Sequence, residues 1–417
     1  MVLARRAARA LRMVRALLRL EFALDLPPWT RLSDDTTVVG QLRRQSLQVV
    51  RRSPAARLLC AVHGVYWPLT ATWDATSCVL RHGARVSAAC GMTRRQQWRD
   101  AMRLAHTMNF SPRTYYLYRF WNPAIRPLAT SFLQVDEMAT LQEHLRRDVD
   151  LSVLGDKVQF AQQCASAGID TPTIVVSLRR SRPEQWTAAT GALPRRDLFV
   201  KPVWGQQGAG GERWVYDAAT EAWSRRGVTL AHDELLARCR SRARRRPIFV
   251  QHCLSNHPDI ARFSTGSLCT FRVMTYRDPG CAAELLAVSF KMARTGSDVD
   301  NLHAGGMVCA VDPLTGRLSA GITRNPAQGP QGWHPDTHAI VEGAQLTTHD
   351  QVIALALAAH DRLVVPWSVG WDVAMTPQGP VLVEGNPLWG IDLLHVPHAV
   401  GLPDAFAASL LERVNAT

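Results

Sequence analysis

The sequence predicts an α+β protein, a mostly helical, arginine-rich first third followed by a strand-rich remainder. Two observations carry that prediction. Up to about residue 150 the apolar residues recur at helical spacing, whereas beyond it short apolar runs alternate with turns marked by glycine and proline. A chain of 417 residues, 47% of them hydrophobic, is long enough for about two or three domains with a real core. Disorder, collagen and small disulfide scaffolds are excluded.

In residues 1–24, Arg5, Arg9, Arg12, Arg15 and Arg19 step by three or four, and Leu11, Val14, Leu17 and Leu18 form a second stripe. That is a basic amphipathic helix, suited either to an anionic membrane surface or to its own domain. Arginines interrupt it throughout, so it has no secretory pattern. Residues 58–80 are the least charged stretch, but His63, Pro68 and Asp74 break it up, and it reads as a buried helix rather than a membrane span. From Thr93 to Leu145 the pattern is again helical, and the aromatic cluster Tyr115, Tyr116, Tyr118, Phe120 and Trp121 is expected to build a core.

After about Asp150 a helix is expected over Lys157–Ala167, ended by Gly168. Strands are expected at Thr173–Leu178, Leu198–Pro202, Arg213–Tyr216, Ile248–Cys253, Cys269–Tyr276, Leu285–Met292, Met307–Val311, Trp371–Met375 and Val381–Glu384, with a helix at Thr348–Leu363. Arg238 to Arg246 holds six arginines in nine residues, which reads first as a solvated loop or helix face and second as a polyanion patch.

The balance of 48 Lys+Arg against 35 Asp+Glu, formally +13, suits an anionic partner such as a nucleotide, an acidic polymer or a membrane surface. Nucleic acid is not expected, because no groove-reading element or run of interleaved aromatics accompanies the charge. Only three of the basic residues are lysines: Lys157, Lys201 and Lys291. Where arginine serves nearly every cationic position, a retained lysine points to a tight site that needs a compact ammonium. The nine cysteines are scattered without a C-x-x-C pair, as in a reducing compartment, so the expected location is the cytoplasm or the inner face of its membrane.

Two segments carry chemistry. Leu198 to Lys201 is an apolar strand ending in a lysine, followed by a loop with Gly205, Gly208, Gly210 and Gly211. Such a loop lets backbone N–H groups approach phosphate oxygens, and the lysine adds charge to them. Near the C-terminus, Gly370-Trp371-Asp372 and Glu384-Gly385-Asn386 flank a turn. If the hairpin pairs Asp372 with Glu384, both carboxylates and Asn386 share one face and would suit Mg²⁺ with water and phosphate completing its shell. The Asp298–His303 and His334–His338 segments have no zinc spacing and read as hydrogen-bonded loops.

The order of these residues resembles the ATP-grasp superfamily from about Asp156 to Leu402. The likeness comprises Asp156-Lys157, Lys201-Pro202 with its glycine loop, Ile248–Gln251, Thr270–Val273, Asn301 before Gly305-Gly306, and Asp372, Glu384 and Asn386. His257-Pro258, Val299-Asp300-Asn301, Gly370-Trp371-Asp372 and Glu384-Gly385-Asn386 look most like the sugar-transfer associated group, with relatives among the glutamate-ligase-like enzymes. The resemblance implies an ATP-grasp fold at 151–417, its lid at about 171–247 and its metal-binding part at about 248–417, behind a helical domain at 1–150. It implies ATP and Mg²⁺ as cofactors. Lys157, Lys201 and the loop with Gly205, Gly208, Gly210 and Gly211 would hold phosphates, and Gln251 to Leu254 would line the adenine pocket. His257, with Asp259, would touch ribose, and Asp372, Glu384 and Asn386 would hold the metal. Arg272, Lys291 and Asn301 would stabilise the transferred phosphoryl group. The implied activity joins a small carboxylate to an amine or other nucleophile through an acyl phosphate. A kinase on the same fold, or a non-catalytic module tethered to a membrane or polyanion, are the alternatives.

Overall fold

The computed structural model describes residues 36–52, 54–146, 152–180, 182–205, 210–295, 300, 305–323, 325 and 328–417. The expectation for residues 1–24 lies outside them. The chain forms two compact units, one comprising the described part of Met1–Arg147 with Asn325–Gly329 and Gly390–Thr417, the other Asp148–Arg324 with Pro330–Trp389.

The first unit is helical: α1 (Val38–Val50), α2 (Pro54–Cys90), α3 (Arg94–Met108), α4 (Pro112–Leu117), a 3₁₀ turn at Arg126–Ser131 and α5 (Val135–Leu145). Side chains start these helices where they should. The Thr37 hydroxyl accepts from Gly40 N–H, Thr93 and Gln96 form a capping box, and Ser111 caps α4 with Pro112 at its first position. The aromatic cluster is a core, as expected: Tyr115, Tyr116, Tyr118 and Phe120 are buried, and the Tyr118 hydroxyl donates to Leu133 O at 2.9 Å. Residues 58–80 differ from expectation. They are helical, but only one side of α2 packs on α3 and α4, so Val65, Leu69, Trp73 and Leu80 stay exposed.

The second unit begins with α6 (Ser152–Gly155) and α7 (Lys157–Ser166). The Asp156 carboxylate accepts from Val158 N–H and Gln159 N–H to start α7. The strands that follow are β1 (Ile174–Leu178), β2 (Gln185–Trp186), β3 (Leu198–Pro202), β4 (Glu212–Asp217), β5 (Ala222–Arg225), β6 (Val228–Leu230), β7 (Ile248–His252), β8 (Thr270–Tyr276), β9 (Glu284–Met292), β10 (Met307–Val311), β11 (Ile322–Thr323), β12 (Ser368–Thr376) and β13 (Gly379–Asn386). Helices α8 (His232–Ala243), α9 (Pro258–Ala261) and α10 (His349–Arg362) lie among them, and α11 (Asp392–His398) and α12 (Asp404–Ala416) belong to the first unit.

Two antiparallel sheets result, ordered β2-β1-β7-β3-β4-β5-β6 and β11-β10-β9-β8-β12-β13. Strands β2, β5, β6 and β11 have two to four residues, too few to show a period in sequence. In the second sheet every residue of β8 and β12 is buried, and α10 covers one face with Val352, Ala356 and Ala359. Any charge on those two strands must therefore be paired.

Candidate active site

Strand β12 carries such a charge. Asp372 lies opposite Arg272 of β8 on one side and Glu384 of β13 on the other. Arg272 donates to both Asp372 oxygens, Nε to Oδ1 at 2.8 Å and Nη2 to Oδ2 at 3.1 Å. Lys291 of β9 places Nζ 3.0 Å from Asp372 Oδ1 and 3.7 Å from Asp300 Oδ1. Burial pushes the Asp372 carboxyl up, but Arg272 and Lys291 outweigh it and hold the group well below the ordinary range.

Lys157 reaches the same place, and Lys201 feels its charge. Lys157, at the first position of α7, sets Nζ 3.6 Å from Glu384 Oε2 and donates to Gly205 O at 2.8 Å. Lys201 of β3 has its ammonium 5.4 Å from the Phe249 ring centroid. Burial lowers Lys201 to about 8, with Glu384 and Asp372 pulling it upward and Lys157 pushing it further down. All three lysines thus bear on the Asp372–Glu384 pair.

Close backbone approach shapes the hairpin. A Cβ on Gly385 would lie 2.7 Å from Trp371 Cζ3 and 3.0 Å from Leu154 Cδ2, so Glu384 and Asn386 are separated by a residue with no side chain to spare. Asn386 directs its amide between the two carboxylates, Nδ2 lying 3.4 Å from Glu384 Oε1 and 3.5 Å from Asp372 Oδ2.

A family model described as sugar-transfer associated ATP-grasp matches residues 138–408, more than half of the chain. The chain belongs to this ATP-grasp family. Its members are generally ligases that use ATP and Mg²⁺. No curated protein matches the chain. Among solved structures it is similar to an N5-carboxyaminoimidazole ribonucleotide synthetase in complex with ADP, at 13% identity, TM-score 0.33, and coverage of 57% of this chain and 45% of that one. It is also similar to the L-amino acid ligase of Bacillus licheniformis, at 14% identity, TM-score 0.32, and 62% and 44% coverage. The D-alanine–D-alanine ligase of Bacillus anthracis complexed with ATP matches at 13% identity, TM-score 0.36, and 70% and 72% coverage. The chain spans less than half the length of the first two. Such scores carry none of those proteins' chemistry to this one.

Within this ATP-grasp chain the residues fit both groups its family uses. The donor set for a cation, two carboxylates and an amide, is all oxygen once the Asn386 amide is turned over, as Mg²⁺ requires. Glu384 keeps coordinating capacity, with Lys157 no nearer than 3.6 Å and a quarter of its side chain exposed. Two ammonium groups beside that pair suit phosphate oxygens.

The remaining sequence candidates are placed as follows. Gly205 lies three residues past β3 with its O accepting from Lys157 Nζ at 2.8 Å, and Gly210 O accepts from Arg242 Nη2 at 2.8 Å. Gly211 directly precedes β4, while Gly208 and Asn301 lie outside the described residues. Gln251 is buried on β7, opposite Phe199 of β3, and Leu254 lies just past that strand. His257 caps the short α9, its Nδ1 accepting from Asp259 N–H at 3.3 Å and its own N–H donating to Met375 O. Asp259 accepts from the Thr347 hydroxyl at 2.9 Å. Of the arginine run, Arg238, Arg240 and Arg242 lie on α8 and Arg244 to Arg246 just beyond it, with Arg238 paired to Glu212 and Arg240 to Glu184. His334 is a loop residue whose Nδ1 accepts from Asp336 N–H and Thr337 N–H, while Asp336 pairs with Arg294 at 2.7 Å.

Sequence reasoning did not single out Asp300 as a site residue. It is buried beside Lys291, and its other oxygen accepts from the Thr270 hydroxyl at 2.5 Å. Burial raises the Asp300 carboxyl despite Lys291, and Asp372 pushes the same way. Its place in the Val299-Asp300-Asn301 segment was the signal in the sequence.

Proposed function

We propose that this protein is an ATP- and Mg²⁺-dependent ligase that activates a carboxylate as an acyl phosphate for attack by an amine or other nucleophile. The observation that carries this reading is the convergence of Lys157 and Lys291 on the Asp372–Glu384 pair, with Lys201 feeling the charge of the same two carboxylates. A site with that many opposed fixed charges is built to receive a polyanion with a counter-cation.

Lys157 and Lys201 would bind the phosphates, and the Gly205–Gly211 loop would cover them with backbone N–H groups. Asp372, Glu384 and Asn386 would hold Mg²⁺, which when bound supplies charge neutralisation between phosphate oxygens. Arg272 and Lys291, fixed by Asp372, would orient toward the charge that develops during transfer. A carboxylate oxygen then bonds to the γ-phosphorus as ADP leaves. The nucleophile next attacks the acyl carbon, phosphate departs, and the nucleophile's proton goes to solvent. The family's association with sugar transfer supports a role in decorating polysaccharides or sugar-linked metabolites.

The test is to incubate the protein with Mg-ATP and a panel of amino acids and uronic acids, following ADP, phosphate and new masses. ADP release that requires both a carboxylic acid and an amine is expected. A stable phosphorylated sugar without ligation would replace this reading with a kinase.

A further inference from the structure

Four large apolar side chains stand out of α2: Val65, Leu69, Trp73 and Leu80 are 83, 74, 74 and 69% exposed. Their spacing of four, four and seven places them on one side of the helix. The other side is occupied, with Trp67, Ala71 and Ala75 packed against Met102 and Ala105 of α3. Exposed apolar residues scattered singly are ordinary, but four along one stripe mark a contact surface.

The charges around the stripe indicate what it contacts. Between Leu58 and Leu80 the only residue with a formal charge at pH 7 is Asp74, and Arg113 neutralises it at 2.9 Å. Exposed arginines stand at the ends, Arg57 before the stripe and Arg81 and Arg85 after it, with Arg94, Arg95 and Arg99 following on α3. An uncharged helix face centred on a tryptophan and ended by guanidinium groups matches the boundary of an anionic bilayer. There the apolar side chains sink below the headgroups, the indole sits among them and the arginines meet lipid phosphates. From Val65 to Leu80 the face is roughly 22 Å long at 1.5 Å per residue, short of a hydrocarbon core of about 30 Å, so it would lie along the surface. No helix among the described residues is long and apolar enough to cross a membrane. A second copy of the chain is disfavoured as the occupant, because it would bring arginine clusters together in a protein already at +13.

We propose that the α2 face of Val65, Leu69, Trp73 and Leu80 docks this protein onto an anionic lipid bilayer. The test is flotation of the full chain with vesicles of phosphatidylcholine alone or mixed with phosphatidylglycerol, comparing wild type, Trp73→Phe and the double variant Leu69→Glu/Trp73→Glu. Both altered positions are largely exposed, so folding should survive, with unchanged far-UV circular dichroism and thermal midpoint as the control. Wild type and Trp73→Phe should float with the anionic vesicles and lose the association in high salt. The double variant should need about tenfold more lipid. Absence of flotation by wild type, or equal flotation by the double variant, would overturn the proposal, the latter leaving another segment such as residues 1–24 as the membrane contact. A dimer that the double variant dissolves would overturn it too, in favour of a second copy.

Discussion

Arg272 grips both oxygens of Asp372, one hundred positions further along the chain, from the neighbouring fully buried strand. Lys291 contacts the same carboxylate from the strand beyond. Two buried cations thus depend on one anion, which couples stability to catalysis at Asp372.

Asp372→Ala leaves Arg272 and Lys291 buried without their shared partner. The expected cost is about 3–5 kcal/mol in urea denaturation, so loss of turnover in that variant is confounded with unfolding. Glu384→Gln is the cleaner probe. Its side chain is a quarter exposed and its ion pair with Lys157 is long, so stability should change by less than about 1 kcal/mol. Turnover, measured as ADP release, should fall by about a hundredfold or more.

Asp300 and Asp372 should respond to pH with opposite sign. The folded-state pKa of Asp372 is depressed, so its stabilisation is present above the ordinary 3.8 and is lost as pH falls through the lower folded value. That of Asp300 is raised, so its contribution is greatest below 3.8 and declines as pH rises through the higher folded value. Asp300→Asn should melt no lower than wild type at pH 7, whereas Asp372→Asn should melt lower. Calorimetric midpoints from about pH 2 to 8 would check both, because the Asp372 change falls below 3.8 and the Asp300 change above it.

Lys201 ties nucleotide affinity to pH. Its ammonium titrates at about 8, below the usual 10.5. Between those values the unfolded chain holds more protons, so this group makes the apoprotein more stable as pH rises. Affinity for Mg-ADP should move the other way, weakening above about 8 as the positive charge is lost. Lys201→Arg should remove that break, which a binding titration at several pH values would show.

Gly385→Ala should destabilise the second unit. The new methyl would strike Trp371 at 2.7 Å, in a strand pair with no free space. Overpacking of this kind costs about 1–3 kcal/mol, read from the urea midpoint, and should weaken nucleotide binding by displacing Glu384 and Asn386.

The sequence made the hairpin legible because strand side chains repeat every two residues, so Glu384 and Asn386 had to share a face and Asp372 could pair across the turn. The ends of α7 were legible from Asp156 and Gly168, residues whose chemistry is local. Asp300 was not, because its meaning depends on Lys291 and Thr270 arriving from other strands. The exposed side of α2 was hidden for a related reason: uncharged sequence records apolarity but not which neighbour covers it. Residues 390–417 joining the helical first unit is likewise a long-range association that no periodicity announces.

The proposed ligase requires that the three lysines and the Asp372–Glu384 pair surround one triphosphate. Isothermal calorimetry with a non-hydrolysable ATP analogue and Mg²⁺ tests it most directly. Wild type should bind at one site, Lys157→Met and Lys201→Met should each bind about tenfold or more weakly, and Glu384→Gln should lose the magnesium dependence. No heat from wild type, or wild-type affinity in both lysine variants, would contradict it.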